Sequence, residues 1–172
     1  LTQVHLLHVK IADIIDKNIP EDCRLVRDQA CGGRQHIPLF VSPDKSFETQ
    51  ICNVDLLVLK DQKIRLIVEI EESNVKPTNI CGKLLCSALT RYYIHESEDT
   101  PIAMDDCVTF IQVVDARKLK KDKTSKFKQW KILQSSIATV LPFQGSSIKE
   151  YRIFYHDQIG DLTSFVSELC SK

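Results

Sequence analysis

The hydrophobic patterning of this chain predicts an α/β domain, a mixed β-sheet flanked by helices, on three observations. Two apolar stretches, 52–59 and 63–71, are separated only by Lys60, Asp61 and Gln62, with Asp61-Gln62 as the tight connection of an antiparallel hairpin. Segments with apolar residues at helical spacing alternate with shorter apolar runs along the rest of the chain. Two of those runs, 107–114 and 151–156, are joined through a helical segment, which predicts parallel pairing with a right-handed crossover.

The elements follow in order. Val4, Leu7, Ile11, Ile14 and Ile15 recur every three or four residues and mark an opening amphipathic helix that ends before Pro20, with Lys10, Asp13 and Lys17 on its outer face. Gly32-Gly33 interrupts the chain, and 35–41 reads as a strand closed by the Ser42-Pro43-Asp44 turn. The hairpin comes next. Pro77-Thr78-Asn79 then starts a helix whose positions Ile80, Leu84, Leu85, Ala88, Leu89 and Tyr92 carry it to about Ile94. An acidic loop (Glu96, Glu98, Asp99, Asp105, Asp106) precedes the buried strand 107–114. A lysine-rich segment continues as a helix that buries Phe127, Trp130, Ile137 and Val140 and stops before Pro142. A strand at 151–156 and a helix at 162–169 close the chain.

At 172 residues, 43 % apolar and 27 % charged, the composition is that of one ordinary folded domain spanning 1–172. Lysine plus arginine equals aspartate plus glutamate, 23 each, so overall charge favours no polyanionic partner and a nucleic-acid argument needs local clustering. No apolar run is long enough for a membrane span, and 1–20 lacks the pattern of a secretory signal, so a cytoplasmic protein without a membrane partner is the expectation. The seven cysteines form no C-x-x-C pair and have no histidine pair at zinc spacing. They read as free thiols, with Cys52, Cys86 and Cys107 as small core hydrophobes.

The chemistry concentrates in the hairpin. Alternation along its second strand puts Ile64, Leu66, Val68 and Ile70 on one face and Arg65, Ile67, Glu69 and Glu71 on the other. Glu69 and Glu71 are then neighbours, about 7 Å apart, at the end of a buried strand, where two carboxylates repel unless a cation or proton intervenes. Asp55 interrupts the otherwise apolar first strand. If the strands pair, three carboxylates converge, and hard oxygen ligands in that number suit magnesium, which can polarise a phosphodiester and help ionise the attacking water. The alternative is a solvated strand end at Glu69, Glu71 and Glu72, with Asp55 paired to an arginine such as Arg65.

Asp55, thirteen intervening residues and then Glu69-Ile70-Glu71 resembles the PD-(D/E)xK nuclease superfamily, in the form where Glu replaces the final Lys, as in some restriction endonucleases. The resemblance covers roughly 1–156 and implies a restriction-endonuclease-like core. It implies Asp55 and Glu69 as metal ligands, with Glu71 as a further ligand or water-activating group in the place of the usual Lys. Two departures are visible. No Pro-Asp pair precedes the hairpin, and Lys83 in the following helix is available as the missing positive group, or as a surface or phosphate-contacting lysine. Glu48 is the first candidate for an additional upstream carboxylate, with Glu21 behind it, while Glu72 is expected to face away from Glu71.

The segment 117–128 gathers Arg117, Lys118, Lys120, Lys121, Lys123, Lys126 and Lys128, with Thr124 and Ser125 at a helix start, and so predicts contacts to a DNA backbone; a solvated helix face is the alternative. His5, His8, His36, His95 and His156 show no ligand or triad spacing and read as surface or hydrogen-bonded groups. Gly32-Gly33 lacks the flanking pattern of a phosphate loop. The functional expectation is a Mg2+-dependent endonuclease for double-stranded DNA, working as a homodimer or as the catalytic subunit beside a larger recognition protein. A repair or structure-specific nuclease on the same core, and a catalytically silent nucleic-acid-binding or assembly module, are the rivals.

Overall fold

The computed structural model describes residues 6–72, 75–118 and 123–171, apart from the side chains of Lys118 and Lys123. Val4, His5, Lys120 and Lys121 therefore lie outside the described residues. The element order is α1 (Leu6–Asn18), β1 (Cys23–Arg27), β2 (Pro38–Phe40), β3 (Gln50–Asn53), β4 (Leu56–Lys60), β5 (Lys63–Glu71), α2 (Pro77–Ala88), β6 (Tyr92–Ile94), β7 (Pro101–Val114), a 3-10 turn (Ala116–Lys118), α3 (Lys123–Val140), β8 (Ile148–Tyr155) and α4 (Ile159–Cys170).

These strands form one mixed eight-stranded sheet in the order β1-β4-β5-β7-β6-β2-β3, with β8 also pairing with β7. The β4–β5 hairpin is antiparallel, and both residues of its tight connection, Asp61 and Gln62, take positive φ of 50° and 60°. Such a turn matches the twist of its flanking strands. β7 pairs in parallel with β5 on one side and β8 on the other, as the intervening helices require. α1 and α4 cover one face through Leu7, Ile11, Ile15, Leu162 and Val166 against Leu66, Val68 and Ile111. α2 and α3 cover the other through Ile80, Leu84, Trp130 and Ile137 against Leu57, Ile67 and Phe110. Among the described residues no helix is long and apolar enough to cross a membrane.

The structure adds β1, a strand that the sequence expectation leaves unassigned, and departs from that expectation in five further places. The run 52–59 is not one strand: β3 ends at Asn53 and β4 begins at Leu56, and they sit in distant parts of the sheet. Asp55 therefore lies at a strand junction, not mid-strand. Ile64 shares the face of Ile67, not that of Leu66, because the pairing shifts between Ile64 and Leu66 and inverts the alternation there. α2 ends at Ala88, after which Tyr92–Ile94 becomes a strand, its aromatic and β-branched side chains suiting a pleated surface better than a helix. Asp105 and Asp106 belong to β7, which starts at Pro101, with Arg65 and Lys63 near Asp105 to balance it. Finally, Val140 and Cys107 are exposed, whereas Cys31 and Cys170 are the buried thiols; all seven are free.

Candidate functional site: a carboxylate pair bridged by a lysine

Glu69 lies near the C-terminal end of β5, on the face covered by α2, and is only 2 % exposed. Burial pushes its carboxyl well above the usual carboxylate range, and the Asp55 carboxyl beside it pushes further in the same direction. Lys83 pulls the other way. Its Nζ donates to Glu69 Oε2 at 2.7 Å and lies 2.8 Å from Glu71 Oε1, so one ammonium bridges the two glutamates. Burial lowers the pKa of this lysine, but Glu69 and then Glu71 more than offset that, and the net shift is upward. The contact to Glu71 Oε1 has the distance of an ion pair without the geometry of a hydrogen bond, which leaves that buried oxygen without a hydrogen-bond donor.

Asp55 is fixed from several directions. Its Oδ2 accepts a hydrogen bond from the Ile70 backbone N–H at 2.6 Å, so the side chain takes over where the β4–β5 ladder has ended. Its own carbonyl accepts from Asp28 N–H at 3.0 Å. The loop that carries Asp28 depends on Gly33, where any Cβ would collide with the Arg27 carbonyl. On the α1 side, His8 Nε2 is 3.7 Å from Asp55 Oδ2, and His8 Nδ1 meets Glu72 Oε1 at 3.0 Å. Arg65 is not the partner of Asp55; it is engaged by Asp105 and the Cys107 carbonyl.

The next strand extends the polar row. Gln112 stands opposite Glu69 in the β5–β7 register and is fully buried. The Tyr151 hydroxyl donates to Gln112 Oε1 at 2.6 Å, which leaves Gln112 Nε2 as a buried donor without an acceptor in the structure. Burial, with the nearby Cys81 and Glu71, holds the Tyr151 phenol firmly neutral by raising its pKa.

Of the predicted site, Asp55, Glu69 and Glu71 are thus brought to one end of β5, but as a touching pair and a lysine bridge instead of an open triad. Lys83 is a member of the cluster rather than a free surface lysine. Among the described residues no group of three or more His, Cys, Asp or Glu side chains is arranged to hold a metal ion. Asp55 and Glu69 alone do fit a hard divalent cation, because magnesium commonly uses one or two carboxylates and completes its shell with water and phosphate oxygens. Glu48 stays exposed, with its carboxylate lowered by hydrogen bonds to its own backbone and to Ser46. Glu72 does face away from Glu71, toward His8.

The basic segment is described only in part. Lys126 is bonded to Gln129 Oε1 at 3.0 Å and Lys128 is exposed, both on α3. Lys118 and Lys123 lie on the 3-10 turn and at the start of α3. Sequence spacing missed His8, Asp28, Gln112 and Tyr151 as neighbours of the carboxylates. No family model matches the chain, and no curated protein or solved structure matches it either.

Proposed function

We propose that this chain is a magnesium-dependent nuclease hydrolysing phosphodiester bonds of duplex DNA, of restriction-endonuclease type or the catalytic subunit of such an enzyme. The observation that carries this reading is buried Glu69, with a lysine ammonium 2.7 Å from it that also meets Glu71 at 2.8 Å, and with Asp55 held by the Ile70 N–H at the same end of β5. Two adjacent carboxylates are costly unless a cation balances them. Asp55 and Glu69 are the residues that would hold magnesium, which supplies Lewis-acid polarisation of the phosphodiester and a more acidic bound water.

The remaining roles belong to the chain itself. The Lys83 side chain is 38 % exposed, and its ammonium, oriented by Glu69 and Glu71, is the cation offered to a phosphate oxygen or the attacking water. Glu71, at the position where the resembling superfamily commonly has Lys, holds that lysine in place. His8 and the Ile70 N–H keep Asp55 in one orientation. Lys126 and Lys128 offer cations for the DNA backbone.

A catalytically silent nucleic-acid-binding or assembly module is the second reading. It is favoured by Lys83 itself, which already neutralises two carboxylates without a metal. Relaxation of supercoiled plasmid by purified protein separates the two. Wild type should nick or cut in Mg2+ and be silent in EDTA, while Asp55→Asn and Glu69→Gln should bind DNA without cutting it. A folded wild type that leaves plasmid intact in Mg2+ and Mn2+, or full activity in Glu69→Gln, overturns the nuclease reading.

A further inference from the structure

The turn between β2 and β3 holds a feature that the carboxylate site does not use. Phe47 is 92 % exposed, at the rim of a cavity of about 420 Å³ also lined by His36, Phe40, Gln50, Asn53 and Glu96. That volume is within the range of ordinary small-ligand clefts. A phenyl ring so fully in water is unfavourable, and a mobile loop would fold it inward. This loop is pinned instead. Lys45 Nζ donates to the His95 and Glu96 carbonyls at 3.0 and 2.6 Å, Thr49 Oγ1 donates to the Asp44 carbonyl at 2.5 Å, and Thr49 N–H donates to the Ser46 carbonyl at 3.3 Å. The ring is therefore presented in advance of any partner.

The cavity wall has matching polar chemistry. Gln50 Nε2 donates to Asn53 Oδ1 at 3.2 Å, so Asn53 Nδ2 and Gln50 Oε1 are left as a donor group and an acceptor group for something else. A base edge carries both donors and acceptors, the chemistry that amide groups can meet. Asn53 ends β3 two residues before Asp55, which is at most ~7 Å of backbone. The amide pair therefore borders the cleft at the end of β3, on the chain segment that leads into Asp55.

We infer that this cleft is a subsite for a nucleobase swung out of the bound duplex or carried by a single-stranded stretch of it, with Phe47 stacking on the base and Gln50 and Asn53 meeting its edge. The inference rests on the nuclease reading for nucleic acid as the ligand, but it concerns binding and can be tested without turnover. In the presence of EDTA, the full chain is titrated with a fluorescein-labelled single-stranded oligodeoxynucleotide and with an abasic strand of the same length and charge. Wild type should prefer the base-bearing strand by about five- to a hundredfold, the range of one base–aromatic stack. Phe47→Ala should remove that preference, and Phe47→Tyr should keep it. Equal affinity of wild type for the two strands, or an undiminished preference in Phe47→Ala, overturns the subsite and leaves the surface to a protein partner. Plasmid cleavage fails or succeeds separately: a lost preference in Phe47→Ala with no cleavage by wild type keeps the subsite and discards the nuclease.

Discussion

Replacing Lys83 with Met keeps most of the side-chain volume and removes the cation that pairs with buried Glu69. The magnitude depends on what Glu69 does next. Breaking a fully buried ion pair from one side costs about 3–5 kcal/mol, but Lys83 is partly exposed, which screens the interaction, and Glu69 can escape by taking a proton. A loss of roughly 2 kcal/mol at pH 8 follows, or about 4–8 °C in Tm for a chain of this size. The pH dependence has a definite sign. Glu69 is already raised above its ordinary value of 4.5, so the folded state binds the proton more tightly than the unfolded state and loses stability as pH rises through the window above 4.5. Without Lys83 that pKa rises further and the loss deepens. The penalty of Lys83→Met should therefore be largest at pH 8 and shrink toward pH 5, where protonated Glu69 no longer needs a cation. In the Glu69→Gln background the same change should cost less than half as much. Urea unfolding of the four proteins at pH 5, 6.5 and 8 measures this cycle. A penalty independent of pH, or identical in the presence and absence of Glu69, would refute the bridge as described.

Two further outcomes follow from contacts elsewhere. Tyr151→Phe removes the donor to Gln112 Oε1 and leaves that buried oxygen unpaired, so thermal unfolding should reveal a loss of about 1–3 kcal/mol, with little loss if the hydrogen bond is not formed in solution. Lys126→Ala with Lys128→Ala should reduce the slope of log affinity against log salt for duplex DNA by roughly 0.9 for each phosphate contact removed; an unchanged slope moves the DNA path off α3.

Local periodicity made the hairpin, α1 and the parallel β7–β8 pair legible, because each depends on spacing within one segment or across one connection. The break between Asn53 and Leu56 was not, since Val54 is buried and the apolar pattern continues across a bend. β6 was hidden by the apolar spacing of α2, which runs on past Ala88 although the backbone does not. The carboxylates stood out because charge is expensive in apolar strands. Lys83 carried a comparable signal: it lies three residues after Ile80 and four before Ser87, in the stripe that α2 buries. His8 likewise falls three and four residues before buried Ile11 and Ala12. Gln112 and Tyr151 gave no such sign, because what joins them is a register between strands 39 residues apart in sequence.

β7 ties together three parts of the sheet. Its first residues pair with β6, and its later ones lie between β5 and β8. On a ribosome, Glu69 emerges long before the strand that will flank it, and β8 later still. The hairpin can close early as a local unit, but its carboxylates must wait in water until Val114 and then Tyr155 have been synthesised. Lys83 follows within α2, 14 residues after Glu69 and ahead of β7, so it is at hand before the acidic cluster is fully desolvated and the charge never has to be buried alone.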